Sequence, residues 1–300
     1  ASRGVVPAAP PGAAAMASSR RLGVLCRQLR QAPAAAEAEA VLFDLADGIA
    51  TITLNRPDNR NSMTPDLLDA FGRCVERCKH DHNVRCVVIT GLGESFCAGA
   101  DFKNPPGALG GYEGYQAPWE KSRYNTYGPF LSVRDLRVPV IAAMNGHAIG
   151  GGLGLALVCD LRVANEGARY GSNFVRLGLH PGMATTYILP RLVGLPRAAE
   201  LIFTGRLVSG AEAASLGLAN YAVPRDEVLG KAMELAREIA SAAPLAVKWA
   251  KDSLTQHVAF DPLPAALLEA HMQSRTFETK DSKEGVKALL QKRQPKFEGH

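Results

Sequence analysis

The chain has 300 residues, 47% hydrophobic and 21% charged, a balance typical of a globular protein that buries a large core. Five of its 34 basic residues lie within residues 1–36, which contain no acidic residue, so the remainder carries 29 basic and 29 acidic residues. This neutral body argues against nucleic-acid binding, and no apolar run reaches the roughly 18 residues of a membrane span.

Residues 1–39 are predicted to form a basic, Ala- and Arg-rich leader or arm. Met16–Gln31 contains arginines and two serines, lacks acidic residues and carries apolar residues at roughly helical spacing. This pattern is typical of a mitochondrial transit peptide, and we predict a mitochondrial matrix protein. A disordered Ala/Pro-rich tail, a chloroplast signal or an arm retained to bind a partner are the alternatives.

From Ala40 onward, strands are predicted to alternate with helices. Val41–Leu45 and Ile49–Asn55, joined by Asp47-Gly48, predict a β-hairpin with a two-residue turn. Thr64-Pro65 predicts the start of a helix, because proline is favoured in a first turn. The predicted apolar face of that helix comprises Leu67, Leu68, Phe71, Val75 and Cys78.

Two strand-to-loop units follow. Val84–Thr90 is predicted to be a buried strand leading into Gly91–Lys103, and Val138–Met144 a second one leading into Asn145–Gly152. The second loop feeds a predicted helix at Leu153–Cys159. A further strand at Asp160–Ala164 completes an α/β core over residues 40–195.

The segment Asn104–Phe130 concentrates aromatic residues. It holds four of the seven tyrosines and one of the two tryptophans, among repeated glycines and prolines. We interpret it as a pocket wall or lid, with an oligomer contact as the alternative.

Residues 196–300 are predicted to be helical. Ser209 and Glu212 have capping-box spacing, and Gly205 and Gly217 lie where helices would end. Further helices are predicted at Arg225–Ala240, Pro244–His257, Leu263–Phe277 and Ser282–Arg293.

Two glycine-containing turns carry the chemistry. One spans Phe96–Lys103 and the other Asn145–Gly152, each after a buried strand. Glycine permits close approach of a ligand, and the helix after the second turn directs its free N–H groups back at the loop. Two such turns meeting at one point would form an oxyanion hole, whereas a lone Gly-Gly-Gly is more simply a tight turn.

Six segments together resemble the crotonase (enoyl-CoA hydratase/isomerase) superfamily over nearly all of residues 40–298. They are NRPDNRN at 55–61, SFCAGADFK at 95–103, PVIAAMNGHAIGGGLGLALVCDLRVA at 139–164, LPRLVG at 189–194, AAELIFTGRLVSGAEAASLGLAN at 198–220 and EGVKALLQKRQPKF at 284–297. The resemblance implies a spiral of β-β-α repeats. It also implies a helical C-terminal region that drives assembly into a homotrimer or a dimer of trimers.

The resemblance also implies roles for individual residues. Ala100 and Gly151 would supply the two oxyanion N–H groups to a CoA thioester, which is substrate or ligand rather than cofactor. Arg56 and Lys103 would lie along the CoA path, and Lys292 would reach its phosphates. Solvated surface residues are the alternative interpretation of these three charges. No metal is indicated, because the six cysteines and the histidines show no zinc-ligand spacing.

The sequence departs from the family at its acid–base positions. The two glutamates with which family hydratases add water correspond to Gly154 and Phe174, and neither side chain titrates. A further carboxylate position of the family corresponds to Gly182. His180 is the predicted substitute, because imidazole titrates near neutral pH, although a loop histidine is more often a surface residue. Arg176 and the tyrosines of Asn104–Phe130 are further candidates.

Two functions remain open from the sequence. One is an acyl-CoA enzyme of lipid or amino-acid breakdown that stabilises an oxyanion but is not a standard hydratase. The other is an inactive subunit of a larger mitochondrial assembly. A nucleotide-dependent dehydrogenase and a serine hydrolase are disfavoured, since neither GxGxxG nor GxSxG occurs in the required context.

Overall fold

A computed structural model describes residues 39–101, 127–257 and 263–297. The predicted leader, Lys103, and most of the aromatic segment therefore lie outside the described residues. Within the described part, no helix has the length and apolar character needed to cross a membrane.

The main sheet has six strands in the order β1-β2-β3-β5-β7-β10. β1 and β2 pair antiparallel and the other neighbours are parallel. The three central strands are buried along their whole length, as expected for parallel strands covered on both faces. The strands are β1 Val41–Ala46, β2 Ile49–Leu54, β3 Cys86–Gly91, β5 Val140–Met144, β7 Leu161–Asn165 and β10 Tyr221–Val223.

The predicted β-hairpin is confirmed. Asp47 and Gly48 have φ values of 53° and 78°, the left-handed backbone that two-residue hairpin turns require.

A smaller sheet brings the two glycine turns together. It contains β4 Ser95–Cys97, β6 His147–Ile149, β8 Arg169–Gly171 and β9 Val208–Ser209, in that order. β4 and β6 are parallel neighbours. The chain enters the Gly99 region from the end of β4 and the Gly150–Gly152 region from the end of β6. Because the two strands are parallel neighbours, these regions lie at the same end of the sheet.

Ten α-helices are present in the described part. They are α1 Pro65–His80, α2 Gly128–Leu131, α3 Gly151–Val158, α4 Thr185–Val193, α5 Leu195–Thr204, α6 Gly210–Ser215, α7 Val228–Ser241, α8 Pro244–His257, α9 Leu263–Phe277 and α10 Lys280–Leu290. The five apolar residues predicted to face the core from α1 are all buried. With strands and helices layered in this way, the predicted α/β class is confirmed.

Several helix ends differ from prediction for local reasons. α3 begins at Gly151, two residues early, because Gly150 turns the chain with φ +55°. α10 begins before Ser282, since the hydroxyl of Thr279 accepts a hydrogen bond from the Ser282 N–H and caps the helix there. It ends before Lys292, whose φ is +53°.

Only one of the two hydrogen bonds of the capping box predicted at Ser209 is present. Its hydroxyl accepts a hydrogen bond from the Glu212 N–H, but the Glu212 carboxylate pairs with Arg206 instead of returning to Ser209. Gly205 ends α5 in the left-handed conformation, as predicted.

Candidate functional site

The first turn follows β4 and approaches the second turn at Gly99. A Cβ on Gly99 would lie 2.6 Å from the carbonyl oxygen of Ile149 and 3.3 Å from the nitrogen of Gly151, and its φ is +82°. Only glycine meets both conditions. The two turns that the sequence predicts to meet are therefore in backbone contact.

The second turn is equally closely packed. Gly152 lies against Cys97, so that a Cβ on Gly152 would be 2.0 Å from the Cys97 carbonyl oxygen. The Gly150 N–H donates to the carbonyl of Gly171 at 2.9 Å, which ties the turn to β8. The glycines of this turn are required by backbone contacts on both sides.

The N–H groups of Ala100 and Gly151 are not used within the described fold. Met63 pairs with Ala100 in a parallel bridge, but the bond runs from the Met63 N–H to the carbonyl of Gly99 at 2.8 Å. Gly151 is the first residue of α3, whose leading N–H groups have no partner in the helix. Neither N–H donates to another described residue. Both are available to an acceptor.

The position of the first missing glutamate is filled. A Cβ on Gly154 would lie 2.3 Å from Cβ and 2.7 Å from Cγ of Met183, which is fully buried. A glutamate at this position would require Met183 to move. Gly154 is therefore a packing position in this chain.

Apolar and aromatic side chains occupy the other two positions. Phe174, 7% exposed, places its ring 3.7 Å from where a Cβ on Gly150 would be. At Gly182, the hydroxyl of Tyr127 lies 2.5 Å from the corresponding Cβ position. That hydroxyl donates to the side-chain oxygen of Gln273 on α9. The Tyr127 hydroxyl therefore lies against Gly182, where the resemblance predicts that a family carboxylate is absent.

His180 is fastened to α9. Its backbone N–H donates to the Thr276 hydroxyl at 3.2 Å, and its carbonyl accepts from the Gln273 amide at 3.0 Å. The ring nitrogen Nδ1 is 2.7 Å from the Pro181 carbonyl and donates to it. Among the described residues none of these partners belongs to the two turns, so an acid–base role of His180 stays a prediction.

The predicted CoA contacts stay predictions too. Arg56 forms an ion pair with Asp66 at the start of α1, with 2.9 Å between Nη2 and Oδ2. The backbone N–H of Arg56 also donates to the side-chain oxygen of Asn61. The amide nitrogen of Asn61 in turn donates to the carbonyls of Leu92 and Ser95. Lys292 is exposed beyond the end of α10. The stiff Arg56–Asn61 segment places Arg56 next to the strand that leads into the first turn.

Cys97 is the second residue of the first turn. Its thiol is fully buried, and burial raises its pKa to about 12. A thiol with that pKa stays protonated at neutral pH.

A buried carboxyl that the sequence analysis missed lies on α9. Glu269 is 1% exposed, and its Oε1 accepts from the Thr186 N–H at 2.7 Å and from the Thr186 hydroxyl. Burial raises its pKa from 4.5 to about 7, against the lowering effect of hydrogen bonds from Thr186 and from the backbone of Ala184 and Thr185. Glu269 therefore caps the N-terminus of α4.

Glu269 lies between buried Ala266 and Ala270, but Gln273 and Ser274 on the same helix are buried polar residues too, so the sequence of α9 alone does not mark Glu269 as a buried carboxyl. The other titratable residues of α9 and of the segments near it are Tyr127, His180, Tyr187, Arg191, His271, Arg275, Glu278, Lys280, Asp281, Lys283, Glu284 and Lys287. None is among the main causes of the Glu269 shift.

Comparison with known proteins is consistent along the chain. The family model described as enoyl-CoA hydratase/isomerase matches residues 44–300. A short-chain-enoyl-CoA hydratase from Clostridium acetobutylicum is 35% identical over 266 residues, covering 88% of this chain and 98% of the relative. A mitochondrial methylglutaconyl-CoA hydratase from Rattus norvegicus is 35% identical over 265 residues, covering 84% and 80%. A crystal structure of an enoyl-CoA hydratase/isomerase from Pseudoalteromonas atlantica superposes with a TM-score of 0.74 at 29% identity, covering 86% of this chain and all of that one.

Replacing Gly152 with alanine should separate the two turns. The added Cβ meets the backbone of Cys97, which cannot rotate away as a side chain could. We expect the free energy of unfolding to fall by about 1–3 kcal/mol, measured by urea denaturation. Gly230→Ala on α7 is the matched control, because no atom lies within 4 Å of its Cβ position and alanine favours helix. Equal effects of the two substitutions would contradict this account of the contact.

Glu269 should make the stability of the protein depend on pH. Its pKa is higher in the folded state, so the folded protein retains a proton that the unfolded chain releases, and stability falls as pH rises from about 4.5 to about 7. Glu269→Gln keeps an acceptor for Thr186 and removes the titration. We expect the stability difference between wild type and variant to change by on the order of 3 kcal/mol between pH 4.5 and 8. A difference that does not vary with pH, measured by denaturant unfolding, would contradict the raised pKa.

Proposed function

The chain belongs to the enoyl-CoA hydratase/isomerase family, and we propose that it binds an acyl-CoA thioester with the carbonyl oxygen between the N–H groups of Ala100 and Gly151. The observation that carries this proposal is that the two turns are in backbone contact. A Cβ built on Gly99 in the first turn would lie 3.3 Å from the backbone nitrogen of Gly151 in the second. This contact leaves two unpaired donors on neighbouring turns. The positive end of α3 adds to their effect on a developing negative charge.

The proposed chemistry is stabilisation of a thioester enolate. When the α-carbon loses a proton or a carboxylate that departs as carbon dioxide, the electron pair left behind delocalises onto the thioester oxygen. Two N–H donors that bind this oxygen more strongly as its charge grows lower the barrier. Hydration needs carboxylates in addition, and neither Gly154 nor Phe174 can provide one. We therefore propose an enolate-forming acyl-CoA enzyme that is not a standard hydratase.

In this proposal CoA itself is held by basic residues. Arg56 and Lys103 lie along its path and Lys292 reaches the phosphates, as the family resemblance implies. His180 remains the proposed acid–base group, with its Nε2 as the atom that exchanges a proton, because Nδ1 is engaged by Pro181.

A catalytically inactive, acyl-CoA-binding subunit is the second candidate. It is favoured by the packing of Met183 on Gly154 and of Phe174 on Gly150. Assembly into a homotrimer or dimer of trimers, or into a larger mitochondrial complex, is part of either proposal. Support comes from exposed apolar side chains on α8, where Leu245, Trp249 and Leu254 are 61%, 59% and 68% exposed.

We propose that the protein acts in the mitochondrial matrix. The support is the acid-free, arginine-rich composition of Met16–Gln31 and the mitochondrial name of the rat relative. Residues 1–40 fused to a fluorescent protein should enter isolated mitochondria and become protease-resistant. A matched fusion with Arg20→Glu and Arg21→Glu should remain outside. Equal uptake of both fusions, or of neither, would contradict the proposal.

The thioester site is tested by a pair of substitutions at Gly151. Gly151→Pro removes the N–H at the first helical position, where proline fits, whereas Gly151→Ala keeps the N–H and adds a comparable clash with Met63. Wild type should bind butyryl-CoA in calorimetry. The proline variant should bind at least tenfold more weakly than the alanine variant, because one of two donors is gone. Both variants are checked for folding by circular dichroism.

Turnover separates the two candidate functions. Wild type should not hydrate crotonyl-CoA under conditions in which an enoyl-CoA hydratase of the same family does. Incorporation of deuterium at the α-carbon, or loss of carbon dioxide from a malonyl-type thioester, supports the enzyme. Binding without either reaction supports the inactive subunit, and absence of acyl-CoA binding contradicts both.

A further inference from the structure

Met183 packs against Gly154 in the first turn of α3, the helix that begins at Gly151. Gly151 and Gly154 are three residues apart on α3, so they are separated by about 4.5 Å along the helix axis. Cβ, Cγ and Cε of Met183 lie 2.3, 2.7 and 3.3 Å from the Cβ position of Gly154. Met183 therefore covers Gly154, whereas the side chain of Met63 lies against Gly151 at the start of the helix.

The backbone of Met183 is held in an unfavourable conformation. Met183 and Ala184 have φ values of +61° and +55°, and both are fully buried. Two successive non-glycine residues in the left-handed region each cost on the order of 1 kcal/mol and persist only where the surroundings enforce them. Such strain concentrates at binding sites.

The enforcing contacts are visible on the C-terminal side of Met183. α4 starts at Thr185, whose N–H and hydroxyl both donate to the Gly182 carbonyl. The next residue, Thr186, is anchored to the buried carboxyl of Glu269. Since α9 thus fixes the start of α4, the corner at Met183 cannot relax toward solvent.

One buried polar atom near this corner, Oε2 of Glu269, has no hydrogen-bond partner. Of the buried side-chain oxygen and nitrogen atoms in the described part, only Oε2 of Glu269 and Oγ of Ser172 lack a hydrogen bond. Ser172 follows Gly171, which binds the second turn, and Glu269 binds the residue three beyond Met183. Unsatisfied buried groups are rare and call for a local reason, and the one on Glu269 belongs to the carboxyl that anchors α4 just after Met183.

We propose, building on the thioester site above, that Met183 sets the acyl-chain limit of this protein, so that it takes short-chain acyl-CoA thioesters. The side chain closes the path along α3 within one helical turn of Gly151. Its removal opens that path. The ring of Phe174 packs on Gly150, the residue that precedes Gly151.

The test compares binding of butyryl-CoA and octanoyl-CoA to wild type, Met183→Ala and Met183→Gly by calorimetry. Wild type should prefer butyryl-CoA. Each variant should shift the ratio of the two dissociation constants by at least tenfold toward octanoyl-CoA, because the longer chain gains buried methylene groups. Met183→Gly also relieves the left-handed strain, so it keeps the test available if the alanine variant folds poorly.

Met144→Ala is the matched control, since Met144 is equally buried but lies in β5 of the main sheet. It should leave the ratio unchanged. An unchanged ratio in both Met183 variants, an equal shift in the control, or a wild type that binds octanoyl-CoA more tightly would overturn the proposal. If no acyl-CoA binds to wild type, the thioester site itself is wrong, which is a distinguishable result.

Discussion

The candidate site depends on the close approach of two backbone turns. Gly99 touches the Ile149 carbonyl, and Gly152 touches the Cys97 carbonyl, at distances that leave no room for a Cβ on either residue. The contact follows from the pairing of β4 with β6, which aims both turns at the same point. Because main chain meets main chain there, the two N–H groups are positioned without any side-chain rotamer. Such pre-organisation is what makes oxyanion stabilisation effective.

In the proposed function, holding a thioester and moving its protons are separate properties. The two turns are proposed to serve the first, and the family resemblance places Gly154 and Phe174 at the positions that serve the second in hydratases. The structure adds that these positions are packed: Met183 covers Gly154, and the ring of Phe174 lies on Gly150. Glu269 and Gln273 of α9 bring other polar groups close to the segment around Met183: Glu269 binds Thr186, and Gln273 binds the Tyr127 hydroxyl that lies against Gly182.

Much of the fold follows from local sequence patterns. The hairpin at Asp47-Gly48 and the buried face of α1 depend on turn chemistry and periodicity, which are readable over a few residues. The start of α10 was mispredicted because Thr279, not a residue nearer Ser282, supplies the cap. The early start of α3 depends on the φ of Gly150, and among several glycines the sequence does not single out that one.

The site was predictable in its backbone and not in its side chains. The two turns around Ala100 and Gly151 were predictable because their glycine pattern is local, whereas the roles of these two residues come from the family resemblance and stay predictions. The contacts of Met183 with Gly154, and of Glu269 with Thr186, join residues 29 and 83 positions apart in the chain. Such contacts depend on how helices pack, and no local pattern encodes them.

The central claim is that two backbone N–H groups polarise a bound thioester carbonyl. Infrared difference spectroscopy of butyryl-CoA labelled with 13C at that carbonyl measures this polarisation directly. Our account predicts that the carbonyl stretch moves to lower frequency on binding than in water, because two fixed donors replace mobile solvent. A bound carbonyl that absorbs at the frequency seen in water, or above it, would contradict the account.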